Sequence, residues 1–225
     1  MITTSLSLLA LAIAPGLFLM IIFYMRDRYE PEPLRLVIKV FVLGILSVIP
    51  AVMLELVLSV EAGDILSLGY NSYIGIALPE EIMKFIVVFY GAYRIREFDE
   101  PMDGVVYSVS SSLGFATLEN VFYVLEGGFA VGIMRGLFSV PGHAMYGAVM
   151  GFYMGKAKFS LERNPLLMRS LLYPILLHGT YDFLLFLDPL YFILIEIPIM
   201  IITLIFVRMS LQRLSAISPF KHSST

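Results

Sequence analysis

Hydropathy divides this chain into about seven apolar runs, each close to the roughly 20 helical residues that cross a hydrocarbon core. They lie near Ser5–Met25, Leu36–Leu58, Ser72–Tyr93, Gly104–Leu125, Val131–Gly155, Leu166–Leu187 and Pro189–Val207, separated by short polar connections. The chain is 59% hydrophobic, against about 45–50% for soluble domains, and its mean hydropathy is +0.87. The expected fold is therefore all-α: a polytopic membrane helix bundle of about seven transmembrane helices. Residues 1–214 form a single transmembrane domain, and the tail 215–225 is expected to be disordered. No basic segment precedes the first run, which stays apolar through Met25, so it reads as a span and not as a cleaved leader.

Charge orients the bundle. Of the fifteen Lys and Arg residues, all but Lys84 and Arg135 fall in or beside the first, third and fifth connections or after the last run. The second, fourth and sixth connections contain none. An excess of basic residues marks the cytoplasmic side, which puts the amino terminus outside and the carboxy terminus in the cytoplasm. With no cysteine, disulfides, thiolate catalysis and Cys-rich metal sites are excluded. Nothing resembles a basic nucleic-acid surface, so no nucleic-acid partner is expected.

Against this apolar background the intramembrane polar residues stand out. Glu80, Glu81 and Lys84 fall within five residues of one another in the third run, and each ionisable group near a bilayer centre costs a few kcal/mol. Glu119 with Asn120, His143, and His178 with Asp182 are the other groups able to do chemistry. At 1.5 Å per residue, Glu80 and Glu119 lie roughly 12 Å from the outer end of their spans, Asp182 roughly 9 Å and His178 roughly 15 Å. His143 is expected deepest, at roughly 18 Å. Four spans running in alternating directions thus bring acid–base groups to one layer in the outer half of the bilayer. A proton or ion pathway needs polar groups across the whole thickness, whereas one wet chamber needs a single layer.

Spacing refines this. His178 and Asp182 are i,i+4 on one helical face, so the carboxylate can orient the imidazole or share a ligand with it. Lys84 has the same relation to Glu80 and would hold a glutamate ionised, while Glu81 points about 100° away. Two carboxylates in different environments suit water activation, one as base and the other as acid or ligand. Pro79, Pro141 and Pro174 each precede a polar cluster, and a membrane proline frees a carbonyl that neighbours or water must satisfy. Gly147, Gly151 and Gly155 make one small face on the fifth run, and Ser108, Ser111, Ser112, Gly114 and Ala116 keep the fourth run slim. Both are expected to serve close packing. Glu55, Glu196 and Arg135 read as structural partners or interfacial groups, Asn120 as an interhelical hydrogen bond, and His222 as an inert tail residue. His143 alone reads equally well as a helix-packing residue.

Four ordered motifs carry a family resemblance: Glu80-Glu81-Ile-Met-Lys84, Phe115-Ala-Thr-Leu-Glu119-Asn120, His143-Ala-Met-Tyr-Gly147-Ala-Val-Met-Gly151 and His178-Gly-Thr-Tyr-Asp182-Phe. Together they resemble the PrsW family of bacterial intramembrane proteases, itself distantly similar to the CAAX prenyl endopeptidases. Where those distant relatives have Phe-x-x-x-His, this chain has Glu119. The resemblance implies a multi-pass protein of the bacterial cytoplasmic membrane in which residues 1–214 are catalytic. It also implies site-1 cleavage of a membrane-anchored anti-sigma factor, in a stress response.

The expected chemistry is peptide hydrolysis by water activated by Glu81 or Glu80, with Lys84, Phe115, Asn120 and Asp182 in support. His143, His178 and Glu119 would either bind one divalent metal such as zinc or stabilise the tetrahedral oxyanion. No organic cofactor is expected. Other classes stay open on spacing alone: a membrane hydrolase acting on lipid, an ion- or proton-coupled transporter, and a non-catalytic scaffold.

Overall fold

The computed structural model describes residues 2–221, all of whose regular structure is helical. Residues 222–225, with His222, lie outside the described residues, while the first two residues of the tail 215–225 belong to the last helix. The order is α1 (Ile2–Tyr24), α2 (Leu34–Leu58), α3 (Ile65–Tyr70), a π-helical segment (Asn71–Ala77), α4 (Leu78–Gly91), α5 (Pro101–Leu137), α6 (Ser139–Lys158) and α7 (Arg163–Leu187). A short α8 (Pro189–Tyr191), a second π segment (Phe192–Glu196) and α9 (Ile197–Ala216) close the chain. Among the described residues, five helical stretches are long and apolar enough to cross a membrane: Ser5–Tyr24, Leu34–Leu58, Pro101–Lys158, Arg163–Leu187 and Pro189–Ala216. The expected count was about seven. The difference has two causes. The third run is divided among α3, a π segment and α4, and the fourth and fifth runs join into one continuous 58-residue stretch.

Both π segments have the same local origin. Pro79 and Pro198 have no N–H, so the carbonyls four residues earlier, on Gly75 and Leu194, cannot receive their usual α-helical bond. The ladder shifts by one residue just ahead of each proline: Leu78 N–H reaches Tyr73 O and Ile197 N–H reaches Phe192 O. Such bulges occur often at functional sites. Here the first one sets the rotation at which α4 presents Glu80 and Glu81.

The long α5 is bent at Gly128, whose backbone (φ 75, ψ −161) lies where side chains other than glycine's are strained. Beyond the bend the chain turns back along α1: Gly132 faces Leu11 and Gly136 faces Pro15. A second irregularity at Phe138 (φ −122, ψ −59) separates α5 from α6.

α5 is the centre of the bundle, flanked by α1, α2 and α6. Its small residues allow the backbones to meet. A Cβ on Gly151 would lie 2.2 Å from Gly104 O, one on Gly155 2.0 Å from Pro101 O, and one on Gly114 2.0 Å from Phe41 O. The glycine face read from the fifth run is thus a packing face. Because the obstruction is backbone, it cannot rotate away as a side chain would. Gly151→Leu is expected to destabilise the protein by at least about 1–3 kcal/mol. Gly63→Ala, with nothing within 4 Å, should leave it unchanged, and thermal unfolding in detergent compares the two.

The helix ends that carry basic residues gather on one face. Lys158 Nζ donates to Tyr93 O (2.8 Å) and Ile95 O (3.2 Å), and Lys39 Nζ donates to Gly91 O (3.4 Å). Arg163 lies over the Tyr93 ring at 5.5 Å. Glu119 is 16 residues from Asp103 on α5, about 24 Å along the helix axis, which places the carboxylate–histidine layer toward the opposite face.

Candidate active site

α4, α5, α6 and α7 each contribute to one buried polar cluster. Lys84 is at its centre and fully buried. Its three protons meet three acceptors: Glu80 Oε2 (2.9 Å), Glu81 Oε1 (2.8 Å) and His143 Nδ1 (3.0 Å). Its ammonium also lies 4.3 Å from the centre of the Phe115 ring. Lys84 thus neutralises one unit of the charge carried by two adjacent buried glutamates, the pairing without which such burial is prohibitive.

The histidines are fixed from both sides. A proton from Lys84 at His143 Nδ1 leaves Nε2–H to donate to Glu119 Oε2 at 3.0 Å. His178 Nδ1 meets Glu81 Oε1 at 3.0 Å, and its Nε2 faces Asp182 Oδ2 at 3.4 Å. The i,i+4 relation of His178 and Asp182 therefore brings them together as expected. Glu119 is held in turn by Arg135 Nη2 at 3.0 Å. Arg135 Nε donates to Asn120 Oδ1 (3.0 Å), and Asn120 Nδ2 donates to Ala12 O on α1 (2.8 Å). Asn120 makes the interhelical bond expected of it, and Arg135 joins the cluster through Glu119.

His143 lies in the common layer and not below it. From Glu119 to Gly128 the chain climbs about 14 Å, and from Gly128 to His143 a straight helix would descend about 22 Å. The irregularity at Phe138 lets the returning chain deviate from that straight path, which brings His143 Nε2 to Glu119.

A cavity of about 230 Å³ opens onto this cluster. Glu80, Glu119, His143, His178, Asp182 and Phe115 line it, together with Glu55, Arg135, Tyr146 and Tyr181. Glu81 and Lys84, both fully buried, sit behind that wall. The two adjacent glutamates are therefore inequivalent: Glu80 faces the cavity and Glu81 faces the protein. Tyr146 was not singled out from the sequence. It stacks on His178 with ring centres 5.3 Å apart, and its hydroxyl is buried without a partner in the protein. Its one sequence signal is the i,i+3 spacing from His143, which places both on one helical face.

Metal-ligand atoms of Glu80, Glu81, His143 and His178 all lie within 4.8 Å of one another. Two carboxylates and two imidazoles are donors suited to zinc. Lys84 and His178 engage Oε2 of Glu80 and Oε1 of Glu81, while Glu81 Oε2 is buried with no partner in the protein. A buried carboxylate oxygen without a partner, on a residue close to three further donors, fits a metal ion. Glu119 lies outside this group of four; its carboxylate serves His143 and Arg135 instead.

The chain matches the family described as PrsW family intramembrane metalloprotease over residues 32–209. It is 46% identical over 180 residues to Protease PrsW of Geobacillus kaustophilus, covering 80% of each chain. It is 40% identical over 184 residues to Protease PrsW of Bacillus subtilis, covering 80% of this chain and 83% of that one. With Protease PrsW of Clostridioides difficile the identity is 37% over 206 residues, covering 88% and 87%. No solved structure matches the chain.

Proposed function

This chain belongs to the PrsW family of intramembrane metalloproteases, and we propose that it makes the first, extracytoplasmic cut in a membrane-anchored anti-sigma factor or similar single-span protein. It is a multi-pass membrane protease. The finer reading takes the chain as about seven spans with the amino terminus outside, the orientation favoured by its basic residues. The polar cluster then lies in the outer half of the bilayer.

The observation that carries the mechanism is the cavity wall, where Glu80, His143 and His178 face one enclosed space while Lys84 and Glu81 support them from behind. Glu80 is the general base: it takes a proton from the attacking water and returns it to the leaving amine. Glu81 and Lys84 fix its position and charge. The Tyr146 hydroxyl, buried without a partner on the cavity wall, is the hydrogen-bond donor for charge developing on the carbonyl oxygen. Glu119 and Asp182 orient His143 and His178, and Arg135 with Asn120 fixes Glu119. Glu81, His143 and His178 would hold a divalent metal, zinc by donor type, with Glu80 beside them as the base. When bound, that ion would polarise the carbonyl and acidify water.

Reconstitution with candidate single-span substrates tests the assignment. Wild type should cut, and Glu81→Gln and His178→Ala should not; normal cutting by both variants would refute the site. Asp182→Asn, which alters only the partner of His178 Nε2, is expected to lose about 10–100-fold in metal affinity or activity. Metal titration of the purified variant measures the first quantity, and initial rates measure the second.

A further inference from the structure

A second cluster of carboxylates lies at the opposite end of α5. Asp27 comes from the connection between α1 and α2, Glu100 precedes α5, and Asp103 sits in its first turn. Oxygens of these three side chains lie within 4.8 Å of one another. They are 3%, 1% and 0% exposed. Glu32, 2% exposed, adjoins them and accepts a hydrogen bond from the Tyr107 hydroxyl. One oxygen of Asp103 is occupied, with Oδ2 accepting the Asp99 and Glu100 N–H groups at 2.7 and 2.8 Å. The others are not. Both oxygens of Asp27, Oε2 of Glu100, Oδ1 of Asp103 and Oε1 of Glu32 are buried with no partner in the protein.

Among the described residues no Lys or Arg forms an ion pair with any of the four. Lys158 has its ammonium on the carbonyls of Tyr93 and Ile95. So much buried negative charge requires either protons or a cation. Burial, aided by Glu100 and Asp103, pushes the Asp27 carboxyl up to about 8, so a proton is the direct competitor. Ligand spacing favours the cation. Oxygens on opposite sides of a hard divalent ion, bound at 2.0–2.6 Å, are about 4–5 Å apart.

We propose that Asp27, Glu100 and Asp103 bind a hard divalent cation of the Mg²⁺, Ca²⁺ or Mn²⁺ class, with Glu32 completing the acidic wall. An all-oxygen donor set selects such ions over zinc. The ion ties the α1–α2 connection to the start of α5, holding the bundle closed about 24 Å along α5 from Glu119. Its role is structural and separate from the proteolytic cluster.

The test uses full-length protein in detergent with Mn²⁺ as probe. Asp27→Asn and Glu100→Gln preserve shape and remove like-charge repulsion, so both are expected to fold. His143→Ala/His178→Ala removes the other candidate metal site. Equilibrium dialysis with elemental analysis should find about one Mn²⁺ per chain retained by His143→Ala/His178→Ala, lost when Asp27→Asn or Glu100→Gln is added to that double variant, and displaced by Ca²⁺ or Mg²⁺. A hundredfold excess over Kd should raise the unfolding temperature of that double variant by roughly 5–10 °C. No Mn²⁺ bound by His143→Ala/His178→Ala would overturn the proposal. So would Mn²⁺ binding undiminished when Asp27→Asn or Glu100→Gln is added to that double variant, which would leave shared protons as the means of neutralisation.

Discussion

Glu80→Gln is expected to lower kcat/KM for a single-span substrate by about 10²–10⁴-fold while leaving the protein folded. The substitution keeps the size and shape of a side chain that lines the cavity. It also keeps an oxygen able to accept from Lys84, now 2.9 Å away. What it removes is the capacity to take a proton from water. Glu81→Gln should be as damaging for a different reason. That carboxylate meets both Lys84 and His178 and carries the orphaned Oε2, so its loss should also reduce bound metal. Initial rates in proteoliposomes, with metal content measured on the same preparations, separate the roles. Wild-type cutting by Glu80→Gln would remove it as the base.

Lys84→Met should have the largest effect on stability. The side chain is fully buried and is the only lysine or arginine bonded to Glu80 and Glu81 among the described residues. Breaking a buried pair by removing one partner leaves uncompensated charge, at about 3–5 kcal/mol. For a chain of this size each kcal/mol shifts the unfolding temperature by roughly 2–4 °C. A loss of roughly 6–20 °C is therefore expected by thermal unfolding in detergent. Adding Glu80→Gln and Glu81→Gln to Lys84→Met should recover most of it, because the site then carries no uncompensated carboxylate. Lys84→Arg should not restore the wild type. The planar guanidinium is bulkier, and its fork does not match three acceptors placed around one ammonium. Equal stability of Lys84→Met and wild type would mean that the glutamates are neutral without the lysine.

Much of this site was legible in the sequence because lipid makes ionisable residues conspicuous. Glu80, Glu81, Glu119, His143 and His178 were identifiable by their misfit to apolar runs, and Lys84 and Asp182 by one-turn spacing. The glycines of α6 were equally legible, since recurrence every fourth residue makes a face. Three features were not. The π segments follow from single missing N–H groups, and a proline in an apolar run does not say whether the helix kinks or bulges. The irregularity at Phe138 is not marked by a glycine or proline at that position, and it is what allows His143 to reach Glu119. That Glu80 and Glu81 point apart was legible, but which of them faces the cavity depends on where it opens, which neighbouring helices decide. The Asp27–Glu100–Asp103 cluster was invisible for a simpler reason. Its members lie in polar connections, where acids are ordinary, and only the tertiary fold buries them.

Cleavage by metal-depleted protein, measured as zinc is added back to a fixed amount of enzyme in proteoliposomes, tests the central claim most directly. The account predicts that stripped protein is inactive. Activity should return in proportion to zinc and saturate near one equivalent per chain, with no return in His143→Ala/His178→Ala. Full activity in protein shown by elemental analysis to be metal-free would contradict it.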